Sequence, residues 1–153
     1  AIVTAVVHDM SESKVTISDV PDEPGIAAKL FRPLADADVN VDMIVQNVSE
    51  GGATDISFTV PTTQRAAAAE VASELGIGKV TSDDGIGKVS LIGAGMKSNP
   101  GVAAQMFETL AERGINIEVI STSEIKISVL IASEYTELAV RSLHSAFGLD
   151  SED

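Results

Sequence analysis

The chain has 153 residues, 44% of them hydrophobic, enough for one domain or two small ones with packed cores. A net charge of −13 reads as an acidic, solvated surface; with 3% aromatics and no Trp it argues against phosphate backbones and base stacking, so nucleic acid is not an expected partner. Cysteine is absent, which excludes disulfides, thiolate metal sites and Cys nucleophiles and fits a cytoplasmic protein, and no apolar run reaches the ~18 residues of a membrane span or shows a signal peptide.

Residues 1–8 (AIVTAVVH) are apolar and β-branched and predict a strand. A polar loop over 9–13 leads to a second strand over 14–19, with Val15 and Ile17 on one face. After a loop over 20–23, Pro24 suits the first helical position, and Ile26, Leu30 and Leu34 recur at helical spacing. Pro33 lies inside that helix and predicts distortion or shortening. Val39, Val41, Met43 and Val45 alternate with Asn40, Asp42, Ile44 and Gln46 and predict a half-buried strand; Glu50-Gly51-Gly52 turns it back into Ile56, Phe58 and Val60. Thr62 or Thr63 is positioned to cap an Ala-rich helix ending at Gly76, and a short strand is expected within 78–84.

Gly85-Ile86-Gly87 reads as a join. A strand over 88–92 follows, then a helix capped by Asn99, opened by Pro100 and closed by Gly114. Ile115, Ile117 and Val119 predict a strand, with Ile125, Ile127, Val129 and Ile131 as its hairpin partner. Ser133 is placed to cap a last helix with Leu138, Leu143 and Phe147 inward, ending at Gly148. The acidic residues 150–153 are expected to be a disordered tail.

Much of this is written twice. Pro24-Gly25-Ile26-Ala27-Ala28 returns as Pro100-Gly101-Val102-Ala103-Ala104, a displacement of 76 residues. At the same displacement Val39-Asn40-Val41-Asp42 answers to Ile115-Asn116-Ile117-Glu118. Such a period means two copies of one supersecondary unit. Each copy reads as βαββαβ, the ferredoxin-like α+β pattern. The second copy lacks its last strand and the N-terminal strand has no place in the first. The economical arrangement inserts domain 10–84 into a domain made of 1–9 and 85–149, since an open sheet edge would expose unpaired backbone.

The loop before each Pro-Gly helix is the main candidate site. A helix N-terminus offers free N–H groups and partial positive charge to a carboxylate. Gly25 permits close approach, Asp22 can take an ammonium, and Gln46 can bond a hydroxyl or amide. The set suits a zwitterionic amino acid. Pattern alone also allows, and by frequency favours, a plain helix start with Asp22 as a solvated turn residue. Gly93-Ala94-Gly95-Met96 lacks the residues of a phosphate loop and reads as a structural turn. His8 and His144 are isolated, Met43, Met96 and Met106 read as core or rim, and Glu124 with Lys126 as a surface pair. No metal or cofactor is implied.

Asp22-Glu23-Pro24-Gly25, VNVDMIVQNVS over 39–49, GAGMKS over 93–98 and INIEVISTSEIKISVLI over 115–131 together resemble the regulatory region of aspartate kinase, two ACT domains. The likeness spans roughly residues 1–149. It implies amino-acid binding at domain interfaces and control of the ATP-dependent phosphorylation of aspartate, the first step toward lysine, threonine, methionine and isoleucine. It further implies a small β subunit, or an excised regulatory fragment, without the family's Lys-Phe-Gly-Gly kinase motif and so without kinase activity alone. The first residue, Ala1, fits a fragment or processed product.

By the same resemblance threonine is held by Asp22, Gly25, Ile26, Ala27 and Gln46 facing Asn116 and Ile117 of a second-type domain, in a homodimer attached to a catalytic α subunit. A second effector site, for lysine, carries over to Asp42, Ser123 and Glu124. Ser49 and Thr54 line the region without touching ligand. Departures from the family are Pro33, a shorter turn over 49–54, and Asn99 where relatives carry His. The competing reading is a free-standing tandem ACT sensor acting on another enzyme or regulator. An acylphosphatase-type enzyme would need an Arg over 20–25, and an RNA-binding module would need strand aromatics; neither is present.

Overall fold

A computed structural model describes residues 2–48 and 51–149. The expected tail over 150–153, Ser49 and Glu50 lie outside the described residues. Two compact units emerge, one from residues 2–10 with 85–149 (the split unit), the other from Ser11–Asp84 (the middle unit). Met10, expected at the head of the middle domain, groups with the split unit. The architecture is α+β, two ferredoxin-like units each with a four-stranded antiparallel sheet.

The middle unit runs β2 (Glu12–Pro21), α1 (Ile26–Asp36), β3 (Ile44–Val48), β4 (Ala53–Pro61), α2 (Arg65–Glu74) and β5 (Lys79–Asp83), with sheet order β3-β4-β2-β5. Val15 and Ile17 on β2 and Ile56, Phe58 and Val60 on β4 point to one face, where Leu30 and Leu34 of α1 and Ala68 and Ala72 of α2 cover them. Each buried aliphatic side chain contributes about 1.5–3 kcal/mol. Alanines at Ala68 and Ala72 let α2 lie close to the sheet, while Phe31 meets Phe58 edge-on at 5.4 Å.

The split unit takes β1 (Val3–Asp9), β6 (Ile86–Gly93), α3 (Pro100–Glu112), β7 (Val119–Thr122), β8 (Lys126–Ala132) and α4 (Thr136–Ala146), with order β1-β6-β8-β7. β1 therefore occupies the edge that β5 holds in the middle unit. Its core joins Val89, Leu91, Val129 and Ile131 to Met106, Leu110, Ala139 and Leu143. Leu138 and Phe147 pack against that core as partly buried residues.

Several local expectations are corrected. Gly85-Ile86-Gly87 is not a join, because β6 begins at Ile86. Gly87 sits so close to Thr136 that a Cβ there would collide with the hydroxyl, which explains a glycine inside a strand. Alternation over 39–46 and 115–119 predicts long strands, but β3 starts only at Ile44 and β7 at Val119. Val39, Met43 and Ile115 are buried all the same, so the alternation reports burial ahead of the ladder. Thr62 and Ser133 open 3-10 turns (Thr62–Gln64 and Ser133–Tyr135) and make no side-chain cap.

Pro33 does not cut α1. The helix has 11 residues against 13 in α3, yet Asp36 and Glu112, the two ends, stand at the same point of the repeat. The residues α1 lacks are at its start. Pro33 deletes one bond, to the carbonyl of exposed Lys29, where water can replace it.

Candidate functional site

The loop entering α1 is shaped by β2. Pairing with β4 runs Ile17↔Ile56 and resumes at Val20↔Thr54, so Ser18 and Asp19 together oppose Asp55. This is a β-bulge. Asp19 takes the left-handed conformation (φ 59), and its N–H donates to Asp55 Oδ1 at 3.1 Å. Beyond the bulge, Asp22 N–H donates to the Gly52 carbonyl at 3.0 Å, which ties the loop to the β3–β4 turn.

Pro24 is not the first helical residue. Gly25 precedes the helix at φ 89, a conformation costly for any residue with a Cβ. A Cβ on Gly25 would meet nothing within 4 Å, so conformation and not crowding demands glycine. The Gly25 carbonyl accepts Lys29 N–H at 3.0 Å, and the Glu23 carbonyl accepts Ile26 N–H at 3.2 Å. Among the described residues no acceptor takes the N–H of Gly25, Ala27 or Ala28. Three donors are therefore left without an acceptor at the positive end of α1, in the segment that follows the exposed carboxylates of Asp22 and Glu23. An open groove of about 540 Å³ runs from this start along the helix, lined by Glu23, Gly25, Ile26, Lys29 and Arg32 among others.

Gln46 stands on β3 opposite Ile56. Ile56 points into the helix-covered core, so Gln46 shares that face of the sheet, exposed at its edge. Thr54 is fully buried, and its hydroxyl donates to the Asn47 carbonyl at 2.7 Å, holding β3 beside Gln46. The fold thus gathers Asp22, Gly25, Ile26 and Ala27 at one helix start, with Gln46 on the same sheet face. Asp42, exposed just before β3, bonds through its N–H to the Thr59 carbonyl.

Asn116 and Ile117 belong to the split unit, between α3 and β7; Asn116 is exposed and Ile117 rests against that unit's core. Ser123 and Glu124 form the exposed β7–β8 turn, where Ser123 N–H donates to the Lys126 carbonyl at 2.8 Å and the Glu124 carbonyl accepts Met96 N–H at 2.8 Å. Ser123 also lines a hollow of about 250 Å³ with Met96, Lys97, Pro100, Ala103, Thr122 and Ile127. Sequence reasoning passed over Lys97 and Thr122. The repeat carried the signal, since Thr122 answers to Gln46 and Pro100 to Pro24 at the displacement of 76 residues.

The 93–96 segment is structural. Gly95 has φ 64 and leads into a 3-10 turn, Met96–Ser98, while Asn99 spends its side-chain amide on the Gly95 carbonyl at 2.8 Å instead of capping α3. Met43, Met96 and Met106 are buried. Among the described residues no group of His, Cys, Asp and Glu could hold a metal ion, and no helix is long and apolar enough to cross a membrane.

The ACT-domain family pattern matches residues 15–76 and again 89–147. The aspartokinase of Mycolicibacterium smegmatis is 56% identical over 159 aligned residues, which take in 100% of this chain and 38% of that protein. The chain thus spans well under half the length of that relative. Two solved structures match the chain almost end to end. One, of aspartokinase alpha and beta subunits, is 48% identical with a TM-score of 0.89, covering 95% of this chain and 99% of the other. The second, the ligand-free regulatory subunit of aspartate kinase from Thermus thermophilus, is 40% identical with a TM-score of 0.92, covering 96% and 99%. The chain belongs to the aspartokinase family, as the regulatory part built from two ACT domains.

Proposed function

We propose that this chain is a non-catalytic, cytoplasmic regulatory subunit that binds threonine and thereby controls phosphorylation of aspartate by a catalytic α subunit. The observation that carries the reading is the start of α1, where three unclaimed N–H groups follow two exposed carboxylates. The effector lies against Gly25, Ile26 and Ala27, its carboxylate taking the unclaimed N–H groups of Gly25, Ala27 and Ala28, its ammonium facing Asp22 and its hydroxyl reaching Gln46. Asn116 and Ile117 are supplied by a second copy. Support for pairing comes from the free edge of β3, which exposes Ile44 and Val48 at 55% and 68%. Support for a separate catalytic partner comes from the two-subunit relative, one chain of which this chain covers almost whole. Lysine is the proposed second effector, at Asp42, Ser123 and Glu124.

Control follows from linkage. A ligand that prefers one assembly stabilises it by its differential affinity, and at ~100 times Kd about 2.7 kcal/mol is available. That is sufficient to shift a dimerisation equilibrium and hold attached catalytic domains in one state. Calorimetric titration with threonine tests the site. Asp22→Ala and Gln46→Ala should each weaken binding about tenfold or more. Unchanged titrations with both variants would remove this site from consideration. Co-purification with an aspartate kinase catalytic subunit separates this reading from that of a free-standing sensor.

A further inference from the structure

The core residues of β2 change phase. Val15 and Ile17 are two apart, but the next inward residue is Val20, three further on, and all three are fully buried. An uninterrupted strand would send Asp19 into the apolar core and put residues 20 and 22 on the opposite face. The bulge absorbs the extra residue. Pairing then continues through Val20↔Thr54 and Pro21↔Ala53 to the Asp22 N–H on the Gly52 carbonyl. Asp22 consequently leaves the sheet on the side of α1, where the free N–H groups lie. The matching strand β6 keeps an unbroken register with β8 throughout, from Ile86↔Ala132 to Ile92↔Lys126.

We infer that Asp55 is a positioning residue for the effector site: it braces the bulge that turns Asp22 toward α1. This rests on the proposed binding of threonine at that loop. The bulge leaves the Asp19 N–H outside the ladder, and the Asp55 carboxylate is the acceptor that takes it. Asp55 is the residue directly across from the bulge, so its side chain reaches the extra amide without displacing a core group. Its β8 counterpart, across the unbroken register, is Lys126, whose side-chain ammonium can accept no such bond. Asp55 is not itself one of the proposed ligand contacts; its influence passes through the backbone from Asp19 to Asp22.

The test compares Asp55→Ala with Asp55→Asn in the full chain, by threonine calorimetry and by backbone amide spectra without ligand. Losing the acceptor should raise the threonine Kd about three- to tenfold, whereas Asn, which keeps an acceptor oxygen, should stay within about twofold. In the ligand-free spectra Asp55→Ala should shift the Asp19 and Asp22 amides and leave those of α3 and α4 in place. Rescue by Asn is what a general loss of stability would not give. Unmoved Asp19 and Asp22 amides, or equal affinity for wild type and Asp55→Ala, would overturn this inference and leave the threonine site standing. No threonine binding by the wild type would defeat the parent reading, and this one with it.

Discussion

Pro24-Gly25-Ile26-Ala27-Ala28 and Pro100-Gly101-Val102-Ala103-Ala104 are nearly the same words, yet the chain folds them differently. Gly25 stands outside its helix at φ 89, while Gly101 lies inside α3, which begins at Pro100. The difference lies upstream. Pro24 is reached from a bulged strand whose last amide, Asp22, is tied to Gly52. Pro100 is reached through the 3-10 turn Met96–Ser98, after which Asn99 O accepts Val102 N–H at 3.0 Å and the helix winds at once. A five-residue motif names a helix start; the approach path decides which residue is first and which N–H groups remain free for a ligand.

The comparison can be broken in graded ways. Leu34 and Leu110 stand at matching points of the repeat and are both fully buried, so each Leu→Ala change should cost about 2–5 kcal/mol in urea unfolding. A loss in one unit only would mean that the two cores are not equivalent. Gly25→Ala and Gly101→Ala should move in opposite directions. The first forces a Cβ into a left-handed conformation and should cost about 1–2 kcal/mol and most threonine affinity. The second replaces a helical glycine over open space and should gain about 0.5–1 kcal/mol. Thr54→Val deletes the bond to the Asn47 carbonyl and should cost about 1 kcal/mol, with a weaker threonine titration, through looser seating of β3. Arg32→Ala, which removes an exposed pair with Asp36 at 3.2 Å, should change stability by less than about 0.5 kcal/mol.

The repeat was legible because apolar spacing is imposed by burial. Ile26, Leu30 and Leu34 must face the sheet, and Ile56, Phe58 and Val60 must face the helices, whatever the loops do. Hairpin partners followed from the same alternation. What stayed hidden depends on hydrogen bonds between distant residues. The alternation from Val39 to Val45 marks burial but cannot say that the ladder with β4 begins at Ile44. Thr62 and Ser133 look like caps, yet their backbones enter 3-10 turns. The three-residue step from Ile17 to Val20 was a readable sign of a bulge; its brace, Asp55, lies 36 residues from Asp19 and could be found only with β4 in place. At the site, Asp22 and Gly25 announced themselves by residue type, whereas the unclaimed amides of Ala27 and Ala28 appear only once α1 is known to begin at Ile26.

Backbone amide spectra recorded during titration with L-threonine test the central claim most directly. The account predicts the largest shifts at Gly25, Ala27 and Ala28, with Asp22 and the Gln46 side-chain amide following the same saturation curve and the α3 start at Gly101 and Ala103 moving far less. Shifts centred on the α3 start, or no saturable shift in the α1 start at all, would contradict it.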